Sequence, residues 1–198
     1  MSDPCRGVVV LGSTGTIGRS TIEVIRGSAG RFRVVGLACH GDVECISRQI
    51  AEFKPEAVYT EEATPELAEA FPQVRFLHGR CRLEELATLD GIDILVAAVP
   101  GVESLPAVMK ALQRGITVCL ASKEVLVAAG EMVMDAAAQS GARILPVDSE
   151  HNAVFQLLEK ECRDDVTRIY LTASGGPFLR RRDLSGVTRQ DVLAHPVW

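Results

Sequence analysis

Five consecutive polar residues, Asp148, Ser149, Glu150, His151 and Asn152, stand between a short apolar run and the helical pattern "AVFQLLEK". Asp148 and Glu150 lie two apart in a stretch that reads as a turn, so both carboxylates can converge on one point. Two close carboxylates repel unless a proton or a cation lies between them. As hard oxygen donors they suit Mg2+ or Mn2+ and match a softer metal poorly. Ser149, between them, offers a hydroxyl to a substrate. Without a metal, the pair predicts one carboxyl that takes up a proton more readily than a free acid. A purely structural use competes: Asp148 or Ser149 can cap a helix beginning near Asn152. His151 and Asn152 either orient the carboxylates or open that helix.

Three other clusters have chemical potential. "VVVLGSTGTIG" places Gly12, Gly15 and Gly18 directly after a strand and at the start of a helix. Glycine lets a phosphate approach the backbone, and the helix start supplies N–H groups and a positive dipole end. The spacing is a variant of the dinucleotide fingerprint; a merely tight strand-to-helix turn is the alternative. "ASKE" sets Ser122, Lys123 and Glu124 between an apolar run and a long helix; alone, Lys123 could be a solvated turn charge. "TASGGPF" holds Ser174 in a glycine-rich loop whose amides suit a phosphate, or that is simply a linker turn.

Positioning these clusters takes a regular scaffold. "GVVVLG", "RFRVVGLAC", "EAVYT", "VRFLHG", "DILVAAV", "ITVCLAS" and "RILPVD" read as strands. Helical patterns such as "DVECISRQIAEF", "SLPAVMKALQRG" and "EVLVAAGEMVMDAAAQSG" separate most of them. In the second of these, Ser104 fits the cap, Pro106 the first turn and Gly115 the stop. Such alternation predicts an α/β fold with a doubly wound, mostly parallel, Rossmann-like sheet. Ligands of such sheets bind beyond the carboxyl ends of the strands, where the glycine turn, "ASKE" and "VDSEHN" all fall. After Asp148 the pattern changes to a helix, a strand "RIYLTAS", a Gly-Gly-Pro loop and a polar helix. The expected division is 1–148, a dinucleotide-binding domain, and 149–198, the start of an α+β catalytic domain. The second strand ends "ACHGDV", so His40, Gly41 and Asp42 stand where a cofactor ribose would lie. An acid there favours a free 2′-hydroxyl, yet Asp42 is slightly past the usual place. No Lys or Arg stands in that run, and NAD versus NADP stays open on these residues.

Composition excludes some classes. The 198 residues carry a net charge of −5, so no basic field exists to hold nucleic acid or an acidic membrane. No apolar run approaches bilayer length, and the N-terminus lacks a signal architecture. A cytoplasmic protein is expected. Six cysteines show no CxxC pair, which points to reduced structural thiols.

With these motifs in place, the chain resembles the 1-deoxy-D-xylulose 5-phosphate reductoisomerase family. The matching stretches are "GSTGTIG", "ASKEVLVAAGE", "LPVDSEHNAVFQ", "LTASGGPF" and "HPVW", in family order from end to end. The resemblance implies NADPH as cofactor, with Thr14, Gly15, Thr16 and Ile17 at its phosphates. Gly12, Gly18, His40, Gly41, Asp42, Ser122 and Glu124 complete the implied cofactor set. It implies a sugar phosphate bound by Lys123, Ser149, Glu150, Ser174 and His195. Asp148 and Glu150 would hold Mg2+ or Mn2+, with Co2+ also admissible. Lys123, Asp148, Glu150 and His195 form the implied catalytic set. The implied reaction, in the non-mevalonate isoprenoid pathway, rearranges 1-deoxy-D-xylulose 5-phosphate and reduces it to 2-C-methyl-D-erythritol 4-phosphate. Full-length members are expected to be homodimers. The chain departs from the family pattern at Ser122, usually Asn, and at Gly41–Asp42, usually a basic residue and Asn. The family also continues past "HPVW" with a third metal carboxylate, so an N-terminal portion of low activity is expected. Two other readings are a related oxidoreductase of another phosphorylated sugar and a non-catalytic dinucleotide-binding module.

Overall fold

A computed structural model describes residues 4–79, 82–172 and 176–194. Strand and helix alternate as β1 (Arg6–Leu11), α1 (Thr16–Arg26), β2 (Phe32–Cys39), α2 (Val43–Phe53), β3 (Ala57–Thr60), α3 (Pro65–Ala70) and β4 (Arg75–His78). Then follow α4 (Leu83–Leu86), β5 (Ile94–Ala97), α5 (Leu105–Gln113), β6 (Thr117–Leu120), α6 (Glu124–Ser140), β7 (Ile144–Pro146) and α7 (Ser149–Leu158). The sheet has seven strands in the order β4-β3-β2-β1-β5-β6-β7. Every pairing is parallel. The doubly wound α/β architecture is therefore as the alternating pattern predicts.

The apolar run of β1 is explained by burial on both faces. Val8 and Val10 pack with Ile22 and Ile25 of α1 and with Ile46 and Ile50 of α2. Val9 and Leu11 point the other way, into a layer with Leu86 of α4, Leu112 of α5 and Val125 and Val133 of α6. The register of β1 against β2 slips once. Val8 faces Val34, but Val9 faces Gly36, leaving Val35 as the extra residue of a bulge. Val35 already faces the α4 layer. A Cβ on Gly36 would lie 3.2 Å from the Leu86 and Leu89 methyls, in that same layer. Two successive residues thus face one side, and only one of them carries a side chain.

The ends of the helices follow the chemistry of their terminal residues in most places. Gly141, at φ 73°, closes α6 in the left-handed conformation that glycine adopts without strain. Ser104 occupies the cap position of α5, but its side chain makes no capping hydrogen bond. That expectation is corrected: the hydroxyl is buried and unpartnered among the described residues.

The chain divides into two compact units, one ending at Asn152 and one beginning at Ala153. In the second, the described residues form two short 3-10 turns, Arg163–Asp165 and Gly176–Phe178, and α8 (Arg189–Leu193). A reciprocal capping box between Thr188 and Asp191 starts α8. The strand expected from "RIYLTAS" is not formed over residues 166–172. Ile169, Tyr170 and Leu171 are exposed instead. A strand requires a neighbour to take its backbone hydrogen bonds, and no strand pairs there among the described residues. No helix among them is long and apolar enough to cross a membrane.

Leu37 is fully buried at the centre of β2. Leu37→Ala should destabilise the first unit by about 2–5 kcal/mol. Urea unfolding followed by circular dichroism measures the loss.

Candidate active site

The turn after β1 is held by backbone bonds. The amides of Gly12 and Ser13 donate to the Ala38 carbonyl at 3.0 and 2.8 Å, and Gly15 N–H donates to the Gly12 carbonyl at 3.1 Å. Gly12 sits at φ 80°, and a Cβ there would lie 2.6 Å from the Ala98 carbonyl oxygen. A Cβ on Gly18 would lie 2.1 Å from the Gly12 carbonyl oxygen. Side chains at these positions would close the turn. Gly15 takes the cap position of α1 with no side-chain cap. The first-turn amides of Thr16, Ile17 and Gly18 lack intrahelical acceptors by helix geometry. Gly15, Thr16 and Ile17 are exposed and Thr14 is half-buried. This is a cradle that a phosphate fits.

At the end of β2, His40 and Gly41 are exposed. Asp42 is doubly engaged. Its Oδ1 accepts from the Cys45 amide at 3.0 Å, capping α2, and its Oδ2 pairs with Arg19 Nη2 at 2.8 Å. The sequence reading, which found no basic residue in that run, missed Arg19 because α1 delivers it across the fold.

The remaining clusters meet at the ends of β6 and β7. Ser122 is buried, and its hydroxyl donates to the Val99 carbonyl, tying two strand ends together. That commits its only hydroxyl proton to the scaffold. Lys123 precedes α6, and Glu124 opens it as an exposed residue. Lys123 Nζ lies 3.0 Å from Asp148 Oδ2 and 3.7 Å from Glu150 Oε2. The two carboxylates do converge on one position, and an ammonium occupies it. Asp148 directly precedes α7, its Oδ1 accepting from the His151 amide at 3.4 Å and lying 3.5 Å from His151 Nδ1. The helix begins at Ser149, earlier than expected. Capping and charge pairing therefore coexist in Asp148. Asn152 Nδ2 donates to the Pro146 carbonyl at 2.7 Å, pinning the turn from behind. Ser149 is exposed beside them. Ser174 and His195 lie outside the described residues.

At Asp148 these contacts act against the expected rise in carboxyl proton affinity. Burial alone would push the Asp148 carboxyl up. The Lys123 ammonium and the His151 amide outweigh it and hold the group below the usual aspartate range. Lys123 is raised in turn, first by its hydrogen bond to Asp148. The oxygens are hard donors aimed at a cation-sized position, so the pair fits a divalent ion. Among the described residues no cluster of three His, Cys, Asp or Glu side chains is placed to hold a metal.

The family model of 1-deoxy-D-xylulose 5-phosphate reductoisomerase matches residues 8–130, and that of its C-terminal domain matches residues 144–198. The chain belongs to the 1-deoxy-D-xylulose 5-phosphate reductoisomerase family. The reductoisomerase of Chlamydia pneumoniae is 42% identical over 196 residues, covering 96% of this chain and 52% of the relative. That of Moorella thermoacetica is 43% identical, covering 96% and 51%. The chain spans about half the length of these curated relatives. The Zymomonas mobilis reductoisomerase solved with NADPH superimposes with a TM-score of 0.83 at 38% identity, covering 90% of this chain and 48% of that one. A reductoisomerase solved with NADPH, fosmidomycin and magnesium gives 0.81 at 32%, covering 98% and 52%. In this reductoisomerase-family chain the glycine turn and the carboxylate pair stand at the carboxyl edge of one sheet.

Lys123→Met should raise the Asp148 carboxyl from its depressed position, since burial would then be opposed by His151 alone. A carbon-13 titration of Asp148 reads this directly. The depressed carboxyl stabilises the fold above its unfolded value and loses that contribution as pH falls through the folded one. The raised ammonium contributes below its unfolded value and is lost only as pH rises through the folded one. The stability gap between wild type and variant should therefore be open at about pH 6 and close below about pH 4.

Proposed function

We propose that this chain carries the NADPH-binding domain and the metal-binding turn of an enzyme converting 1-deoxy-D-xylulose 5-phosphate to 2-C-methyl-D-erythritol 4-phosphate. The observation that carries the proposal is the convergence of Asp148 and Glu150 on one cation, Lys123 Nζ, at 3.0 and 3.7 Å. Family membership and the NADPH and magnesium complexes of its relatives support it. In this reading residues 1–148 bind the dinucleotide and 149–198 open the catalytic domain.

Each residue has work to do. The amides of Gly15, Thr16 and Ile17 receive the cofactor phosphates, helped by the positive end of α1. Asp148, ionised at neutral pH as any ordinary aspartate is and held below that range here, is ready as an oxygen ligand without first losing a proton. Glu150, half-exposed, supplies the second oxygen and can swing to follow it. Lys123 pairs with both carboxylates, and with a divalent ion bound there its ammonium would be free to meet the anionic substrate. Ser149 donates to a substrate oxygen beside them. When bound, a divalent ion polarises a carbonyl and the nicotinamide supplies hydride. The same proposal gives Ser174 and His195 substrate contacts.

Replacing both carboxylates, Asp148→Asn with Glu150→Gln, should abolish Mn2+ binding measured by electron paramagnetic resonance. NADPH affinity, titrated by fluorescence, should stay within about twofold, because uncoupled sites behave independently. Wild-type Mn2+ binding by the double variant would remove these residues as ligands and leave Asp148 a helix cap.

Turnover by the 198 residues alone should be lower than that of a full-length relative by several orders of magnitude. Two protein carboxylates leave the ion loosely held, and misplaced groups cost rate steeply. NADPH consumption with substrate and Mn2+ measures it, and a rate comparable to the full-length relative would refute the expectation.

A further inference from the structure

The cluster at the end of β2 has a use that the glycine turn alone does not supply. A dinucleotide whose pyrophosphate sits at the start of α1 extends its adenosine ribose toward the end of β2. An acid at that end ordinarily accepts from the ribose 2′-hydroxyl, and Asp42 stands nearest that place. Each of its oxygens already has a protein partner, Oδ1 the Cys45 amide at 3.0 Å and Oδ2 Arg19 Nη2 at 2.8 Å. Arg19 is placed differently. It follows Gly18 directly, in the first turn of α1. Its side chain is 58% exposed. Only Nη2 has a hydrogen-bond partner among the described residues. Nη1 and Nε therefore remain to meet an incoming acceptor, and a guanidinium presents such donors as a planar fork that matches a phosphate. No lysine or arginine occurs among residues 39–43 to compete for that role.

We propose that Arg19 is the residue that reads the 2′-phosphate of NADPH, and that Asp42 holds its guanidinium in place rather than binding the ribose. The proposal rests on the dinucleotide reading given above and adds to it the source of cofactor choice. Asp42 is suited to the holding role because a helix N-terminus anchors it: the cap bond fixes the carboxylate, and the carboxylate fixes one edge of the guanidinium. Without that anchor a side chain as long as arginine would sample many rotamers, and ordering it on binding would cost affinity. Gly41, just before, adds nothing that obstructs the approach, since a Cβ there would meet no atom within 4 Å.

Fluorescence titration of the 198-residue chain with NADPH and with NADH tests the assignment. The wild type should prefer NADPH. Arg19→Gln should weaken NADPH on the order of tenfold or more and leave NADH within about twofold, because only one of the two carries the charge that the guanidinium meets. Arg19→Lys should recover part of the loss, as a point charge without the fork. Asp42→Asn keeps an acceptor for Cys45 and should leave NADH affinity unchanged, while narrowing the preference for NADPH. Several results would overturn the proposal. If Arg19→Gln weakens both dinucleotides equally, or neither, Arg19 does not read the phosphate. If Asp42→Asn loses NADH binding, Asp42 is the ribose ligand. If the wild type binds both with equal affinity, the assignment fails while the dinucleotide site stands. Only binding of neither dinucleotide would remove the underlying reading along with it.

Discussion

Parallel pairing of all seven strands is the constraint from which the rest follows. A parallel neighbour cannot be reached through a tight hairpin, so the chain must return across the sheet between one strand and the next. Helices make most of those returns, on both faces, and bury β1 from either side. Every strand then ends at the same edge. Residues as distant in sequence as Gly12, Ser122 and Asp148 are gathered there by connectivity alone. The tie between Ser122 and the Val99 carbonyl shows the edge being stitched where two of those exits run side by side.

Within that edge the electrostatics are settled by a third party. Carboxylates two residues apart in a turn repel when considered alone. The Lys123 ammonium, delivered from the exit of a neighbouring strand, converts the repulsion into a shared attraction. At the same time α7 begins at the residue after Asp148, and its first amides add their own pull. A turn that would be unstable as an isolated peptide becomes a defined geometry because two separate elements end beside it.

Much of this was legible in the sequence, and what was not has physical reasons. Each of the seven expected strands is present in the sheet, because strands covered on both faces read as nearly unbroken apolar runs. The glycine turn and the carboxylate turn were visible as local patterns. The four-residue α4 was not, since it is shorter than a hydrophobic period can reveal. "RIYLTAS" alternates like a strand, yet Ile169, Tyr170 and Leu171 are exposed; pattern describes the capacity to pair, and a partner must also exist. The direction of the Asp148 shift was missed for a similar reason. Its dominant neighbour lies 25 positions away, as the Lys123 and Asp148 numbers show, and local spacing cannot convey it. Arg19 escaped notice likewise, standing on a different element from the loop it serves.

The bulge at Val35 has a consequence for that loop. With one residue more than its neighbour over the same span, β2 leaves the sheet half a pleat out of phase with where an unbroken strand would leave it. Everything downstream, from Cys39 to the cap of α2, is turned over by that half-step. The glycine at position 36 relieves the crowding that the half-step brings, because a Cβ there would press to 3.2–3.3 Å from the side chains of Val9, Leu86 and Leu89. The orientation of the acid at the mouth of the fold is thus set like a vernier, by a small offset introduced six residues earlier in the strand's interior, between Gly36 and Asp42.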